Sequence, residues 1–379
     1  MHKLFVYFHS VKRQRKTMKK SKSNHRVINI LLFPLSRNGW PFTLAAVTFT
    51  LVQLATKHPH FTERNYAQAL YPMIAASLSW ISHHFAFSLW DISWILMIAA
   101  AVMLIILMII RKIPFWRSLL RLLQSAAILY TIFYWCWGFN YFRQPMAQRM
   151  EWKPVELNDD RFLASFDTLI TAANQSKCNI SKADYAAIDK AVEASYRKNA
   201  KMLALHYPNG NRRPKTMLFS AFFAKAGISG YYGPLFSEVH LNANTLPGEY
   251  PFVLAHEKAH QFGITGEAEA NFIAWFICSQ SDDQRLQYSG NLNLLRYFLS
   301  DAFAAKDLKK FLQGFDKKAL DDIVAQRSHW LALRNETIDK AQTAANDAYL
   351  KSNKIDDGVK NYNKVVALTI QWMENQKTK

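Results

Sequence analysis

The chain has 379 residues, enough for one large domain with additions or for two domains. Its formal net charge of +19 suggests a nucleic-acid binder, but nine of the basic residues fall in residues 1–26 and four more between Arg111 and Arg121, beside apolar runs. That placement fits a membrane protein, and with no DNA- or RNA-binding motif in the chain it excludes nucleic acid as a partner. Three cysteines, Cys136, Cys178 and Cys278, exclude a disulfide framework and leave room for a single Cys178–Cys278 bridge.

In chain order, residues 1–37 read as a basic tail without the apolar core and cleavage site of a secretory signal peptide. Trp40 to Thr56 is a short apolar run bracketed by Arg37 and Lys57. The aromatic segment from Tyr66 to Ile81, with Pro72 inside it, reads as an interfacial or re-entrant helix. Trp94 to Ile110 carries no charge; extended back to about Phe85 it includes one acid, Asp91, and is long enough to cross ~30 Å of hydrocarbon. Leu119 to Tyr141 is another apolar run, closing in an aromatic cluster suited to a membrane interface, where Arg143 reads as an anchor. Three spans are therefore expected in a membrane domain of residues 38–143. The positive-inside rule places the tail and the Arg111–Arg121 loop in the cytoplasm and residues 144–379 outside. The lipid bilayer is the first partner implied.

Beyond residue 144 the pattern is mainly helical, with helical periodicity over Phe162–Ala173, Lys182–Leu205, Asn291–Ala304, Ala319–Leu350 and Gly358–Glu374. Ser237–Asn244 alternates and is fenced by glycine and proline, which predicts a strand or hairpin arm. Gly227, Gly230 and Gly233 read as turn glycines, since no phosphate-loop context accompanies them.

His256-Glu257-Lys258-Ala259-His260 is an HExxH motif, with Pro251 suited to a first helical turn and Gly263 to a helix end. On a helix, positions i and i+4 share a face, so His256 and His260 can bind one Zn²⁺ while Glu257 reaches a water beside it. A third ligand is needed. No histidine follows at Gly266, and the only later one is His329, far downstream. Glu267 opens the next helical pattern, with Asn271 four residues on, where an amide could hold a ligand histidine by its other nitrogen. Glu269 points round the helix and reads as a solvated charge. Lys258 and Gln261 argue against a site helix buried in the bilayer.

HExxH followed by a helix of the form ExxxN resembles the gluzincin peptidases. Gly227-Ile-Ser-Gly-Tyr-Tyr-Gly-Pro, Asn242-Ala-Asn, His-Glu-Lys-Ala-His-Gln-Phe-Gly, Glu-Ala-Glu-Ala-Asn-Phe, Trp137-Gly-Phe-Asn-Tyr-Phe-Arg143 and Asp357-Gly-Val-Lys-Asn-Tyr362 resemble an uncharacterised family of bacterial membrane proteins with a gluzincin-like site. The resemblance runs from the last apolar run to nearly the end of the chain. It implies a zincin-like domain after the membrane helices, anchored in a bacterial cytoplasmic membrane. Two departures stand out: the very short gap between His260 and Glu267, which asks Gly263 and Gly266 to reverse the chain, and Asn271 where many relatives carry Asp. The strand 237–244 resembles the gluzincin edge strand, with Asn242 and Asn244 as contacts for a peptide; Tyr362, Tyr231, Tyr232 and His240 are candidates for stabilising an oxyanion. The expected activity is zinc-dependent hydrolysis of a peptide or protein with Glu257 as general base. The alternative is a non-catalytic membrane sensor or assembly factor. A transporter would need more spans.

Overall fold

The computed structural model describes residues 36, 38–180, 184–207, 210, 212–302, 312–353, 355 and 364–377. The expectations for the basic tail, for Asp357–Tyr362 and for Tyr362 as an oxyanion donor lie outside these residues. The chain is mainly helical with one small mixed sheet. Two compact units emerge. One takes the described residues up to Leu54 together with Ala99–Tyr134; the other takes Ala55–Ile98 and Trp135 onward. Residues 55–98 thus group with the later domain.

In the first part of the chain, α1 (Trp40–Lys57) and α2 (Tyr71–His83) are followed by α3 (Leu89–Ile109) and α4 (Phe115–Cys136). Among the described residues, α3 and α4 are the two helices long and apolar enough to cross a membrane. The expected third span forms a helix but falls short of that standard, its 18 residues diluted by Thr43, Thr48, Thr50, Gln53 and Thr56. Between α1 and α2 the chain winds as a π-helix over Glu63–Leu70, with Glu63, Tyr66 and Ala67 buried. The run read as interfacial thus has a buried face as well as an exposed one, and continues as α2, which buries Tyr71, Ala75, Ser79 and Ser82.

The later domain contains α5 (Asp159–Gln175), α6 (Tyr185–Asn199), α7 (Ser220–Lys225), α8 (Tyr250–Gln261), α9 (Glu267–Ser279), α10 (Gln284–Ala302), α11 (Lys317–Leu333), α12 (Glu336–Ser352) and α13 (Val365–Lys377). The 319–350 pattern is broken into α11 and α12. Asn335 takes an extended conformation, caps α12 by accepting from Ile338 N, and donates its own N–H to Lys225 O at 2.9 Å. Helix α9 is buried almost all round, with Phe272, Ile273, Ala274 and Ile277 fully enclosed, as befits the central helix of the core. Cys278 lies inside it, and Cys178 and Cys278 are free thiols, so that bridge is not formed.

The sheet has strand order β1–β3–β2, from β1 (Lys215–Thr216), β2 (Gly230–Gly233) and β3 (Glu238–Leu241). Strand β3 is therefore central, parallel to β1 and antiparallel to β2. The segment expected to be the edge strand has both sides paired; the edge beside the site is β2. Gly230 and Gly233 lie in that strand rather than in turns. A Cβ on Gly233 would meet the Trp90 ring at 2.8 Å, so the strand is flush against the first turn of α3.

That first turn is fixed in detail. Ser88 caps it by accepting from Asp91 N at 2.8 Å, and the buried Glu238 carboxylate accepts from Leu89 N and Trp90 N at 3.2 and 2.9 Å. Lys215 balances Glu238. Asp91, the one acid of the apolar run, accepts from Leu218 N at 2.9 Å and from the Tyr231 hydroxyl. At the far end of α4, Trp135 O accepts from the Tyr66 hydroxyl at 2.9 Å. Residues just before α3 and just after α4 are thus bound into one domain, which requires both to lie on one side of a membrane that α3 and α4 cross. Topology reporters fused at Lys57 and Gln144 should read the same side and a reporter at Lys112 the opposite one. Opposite readings at Lys57 and Gln144 would refute the hairpin.

Candidate functional site

Helix α8 carries the HExxH residues, and its ending sets their geometry. Pro251 stands in its first turn. At the other end Gly263, at φ 82°, takes the left-handed conformation. Gly263 N then donates to His260 O at 2.9 Å and Ile264 N to Ala259 O at 3.1 Å, the double bond of a Schellman turn. A Cβ at Gly263 would also meet the Tyr71 ring at 2.9 Å. The same turn aims the Ile264 carbonyl back at His260 Nδ1, 2.7 Å away. A carbonyl partner fixes the proton on Nδ1 and leaves the Nε2 lone pair free. Gly266, at φ −80°, precedes α9 in an ordinary extended conformation, so the reversal rests on Gly263 alone.

The reversal brings Glu267, first residue of α9, onto the two imidazoles. His256 Nε2 and His260 Nε2 are 3.1 Å apart, and Glu267 Oε2 is 3.2 Å from the first and 3.6 Å from the second. Zinc bonds of about 2.0–2.2 Å in tetrahedral geometry separate neighbouring donors by about 3.3–3.6 Å. Two of the separations, 3.1 and 3.2 Å, are slightly shorter than that range and the third, 3.6 Å, is at its upper end, so a small side-chain shift lets the three atoms hold one tetrahedral ion with a fourth position left over. Among the described residues these three form the group suited to a metal, and Glu257 is not one of its members.

The electrostatics follow from burial and mutual attraction. Burial disfavours the charged form of Glu267, but His260 and His256 outweigh it and hold the carboxyl well below the usual range. Burial likewise opposes charge on His260, and Glu267 overcomes it, lifting the imidazole to about 9. Glu257 differs: burial dominates and pushes its carboxyl up to about 7, against the pull of the two histidines. Its Oε2 is buried and without a hydrogen-bond partner. Strand β2 covers it, and a Cβ at Gly230 would lie 2.5 Å from Glu257 Oε1. Glycine at 230 is what lets the carboxylate fit beneath the strand.

Other expected residues are placed differently. Asn271 is buried beside Tyr297 and does not hold a ligand histidine: His260 uses the Ile264 carbonyl, and His256 Nδ1 is buried without a partner. Asn242 spends both amide hydrogens on Ser220 O and Ile228 O, and its oxygen accepts from Asn244 N and Nδ2. It has no group left for a substrate. Asn244 is tied into the same turn, and its carbonyl bonds His329 Nε2 at 2.7 Å, which accounts for that histidine. Tyr231 is committed to Asp91, Tyr232 to Ser237 and Tyr71, and His240 to Ser88 and Glu238. Glu269 is not solvated: it accepts from Met146 N and pairs with the buried Arg149, both at 2.7 Å. Lys258 is fully buried, its ammonium shared among Asp189, Glu193 and Arg212 O at 2.8, 2.5 and 2.8 Å. Gln261 donates to Ser237 O at 2.6 Å, so neither polar residue of α8 marks a wetted face.

The sequence also hid a clasp. Trp137 Nε1 donates to His260 O at 3.1 Å, the Tyr71 hydroxyl to Gln261 O at 2.8 Å, and Arg143 Nη1 to Gly263 O at 2.9 Å. Arg143 is a fork on Glu63, at 2.8 and 2.7 Å, rather than a headgroup anchor. The signal available was the Trp137–Arg143 stretch itself, whose aromatic density also fits a membrane interface.

Residues 66–370 match a family described as proteins of unknown function (DUF3810), and the chain belongs to that family. No curated protein and no solved structure matches it.

Glu267→Ala should lower zinc affinity at least tenfold, whereas Glu269→Ala should keep the metal and melt earlier, because Arg149 loses a buried partner, a loss of about 3 kcal/mol. Metal analysis and thermal melting of the two variants check this. Equal zinc loss in both would refute the assignment. A second outcome concerns Glu257. Its folded pKa of about 7 lies above the ordinary carboxyl value of 4.5, so ionising it opposes folding. That cost is absent below pH 4.5, grows through the interval and is complete above 7, at about 3 kcal/mol. Metal-free Glu257→Gln should therefore melt above metal-free wild type at pH 8, with the gap closing by pH 5.

Proposed function

We propose that this member of the DUF3810 family is a membrane-anchored, zinc-dependent peptidase with a zincin-like catalytic domain. The observation that carries the reading is the convergence of His256 Nε2, His260 Nε2 and Glu267 Oε2 at zinc spacing, beside a buried carboxylate, Glu257, with an unpaired oxygen. A structural zinc is closed by four protein ligands; three ligands and an adjacent base are the pattern of hydrolysis.

In this reading His256, His260 and Glu267 hold the ion, and Ile264 keeps His260 in the binding tautomer. A zinc ion there supplies Lewis acidity to a peptide carbonyl and lowers the pKa of water. Glu257 takes the water proton on its carboxylate and returns it to the departing amine. Gly230 keeps that carboxylate in place from above. Among the described residues strand β2 has a sheet neighbour on one side only, and an extended peptide adds to its other edge by backbone hydrogen bonds. With the basic Arg111–Arg121 loop in the cytoplasm, the site faces outside the cytoplasmic membrane.

The test uses full-length protein in detergent or nanodiscs, loaded with zinc and given a peptide library. Wild type should cleave. Glu257→Gln should bind one zinc per chain and lose cleavage by a factor of at least ~10², because an amide cannot accept the water proton. Gly230→Ala, which drives a methyl into Glu257, should keep zinc and lose most activity. A Glu257→Gln variant as active as wild type would end the proposal.

A further inference from the structure

Leu218, Phe219 and Phe222 are exposed at 58%, 49% and 56%, although they belong to the later domain, not to an apolar run. Three neighbouring large apolar side chains left in water are costly, and such a cluster marks a surface that meets something apolar. The segment's position says what. Leu218 N donates to Asp91 Oδ2 at 2.9 Å, so its backbone touches the first turn of α3. Just upstream, Lys215 Nζ bonds Ser82 O and Phe87 O, at 3.0 and 2.8 Å, and Arg213 bonds Phe85 O at 3.2 Å. Those contacts draw the exposed Phe87 and Phe85 into the same neighbourhood. The apolar patch is thus continuous with the point where the chain enters its membrane-spanning helix.

We propose that residues 218–222 dip into the headgroup–acyl boundary beside α3, forming a second, non-spanning lipid contact. Exposed Arg213 and Lys225 flank the segment at either end, where a cation meets lipid phosphates. The contact has a consequence for the site. Phe223 packs on the Tyr231 ring at 5.4 Å, and Tyr231 lies in β2 next to Gly230, which covers Glu257. Seating 218–222 in lipid holds that strand at the bilayer surface. The inference rests on α3 crossing the membrane and is independent of any catalytic activity.

The test is spin labelling in nanodiscs of mixed zwitterionic and anionic lipid. Cys136 and Cys178 are replaced by serine, and the fully buried Cys278 is retained. Single labels are placed by Leu218→Cys, Phe222→Cys, Val102→Cys within α3 and Lys340→Cys on exposed α12; each site is exposed, so folding is not at risk. Collision with oxygen, which concentrates in lipid, is compared with collision with a neutral nickel chelate, which stays in water. The oxygen-to-nickel ratio at 218 and 222 should exceed that at 340 several-fold and fall below that at 102. Ratios at 218 and 222 equal to that at 340, with 102 in lipid, would overturn the proposal and leave the span intact. A water-like ratio at 102 would overturn the span and the proposal with it. Shielding from both reagents with dipolar broadening between labels would mean that a second copy covers the patch, which also overturns it.

Discussion

The last turn of an α-helix leaves carbonyls that no residue of the helix can satisfy, and in α8 that turn contains His260. Part of the deficit is met by the Schellman turn at Gly263, and the remaining capacity of His260 O, Gln261 O and Gly263 O is taken by Trp137, Tyr71 and Arg143. These donors come from more than 110 positions away in sequence, out of the stretches that flank the two apolar helices. Arg143 can be buried there because Glu63 takes its charge in a two-point contact, and Arg143 in turn lowers the Glu63 carboxyl against the effect of burial. The orientation of His260 passes through the same turn by way of Ile264. The geometry of the His256–His260–Glu267 group therefore depends on contacts from residues far from it in the chain.

The opposite flank of the site is built on the same logic with the signs reversed. The orphan N–H groups at the start of α3 need acceptors, and Glu238 of the central strand supplies them. Such a carboxylate cannot be buried alone, and Lys215 pairs with it while His240 adds a side-chain hydrogen bond. Strand β2 is then wedged between two helices. Gly233 lets it touch Trp90 of α3, Gly230 lets it touch Glu257 of α8, and Tyr231 reaches Asp91. Beneath α8, Lys258 pairs with both Asp189 and Glu193, and Glu193 is pulled down to about 2 by Lys258 and Arg212 in spite of burial. Removing one member of such a set leaves an uncompensated charge in the core, commonly a loss of about 3–5 kcal/mol. The ion pairs are thus constraints on position more than sources of stability.

What the sequence made legible is what depends on short separations. His256, Glu257 and His260 sit within five residues, and their helical spacing alone puts both imidazoles on one face. Glu267 could be chosen over Glu269 by the same face argument, and the structure sends the two carboxylates in different directions. The break between α11 and α12 was hidden because Asn335 interrupts the apolar pattern no more than any polar surface residue would; its role depends on Lys225 O, about a hundred positions away. Strand β3 looked like an edge because β1 has two residues and pairs in parallel, which leaves no hairpin signal. Arg143 reads in the sequence as an interfacial anchor and Glu269 as a solvated charge, yet both are paired. In each case the partner is distant in sequence, and a charged side chain alone does not reveal whether it is wet or paired.

Helix lengths explain how such distant partners meet. Helices α3 and α4 have 21 and 22 residues, so each rises about 32 Å, and a short turn containing Pro114 joins them. The start of α3 and the end of α4 both belong to the unit that holds the candidate site. Glu63, Tyr71 and Asp91 stand at or before the outward entry; Trp137 and Arg143 stand just after the return. Tyr66 bonding Trp135 O marks the plane where the two flanks close on each other. The clasp on α8 and the cap on α3 draw on residues from both sides of this excursion. A domain whose polar contacts span the hairpin in this way has no separable soluble half beginning at residue 144: that fragment would keep the histidines and Glu267 but lose three of the donors that hold the end of their helix.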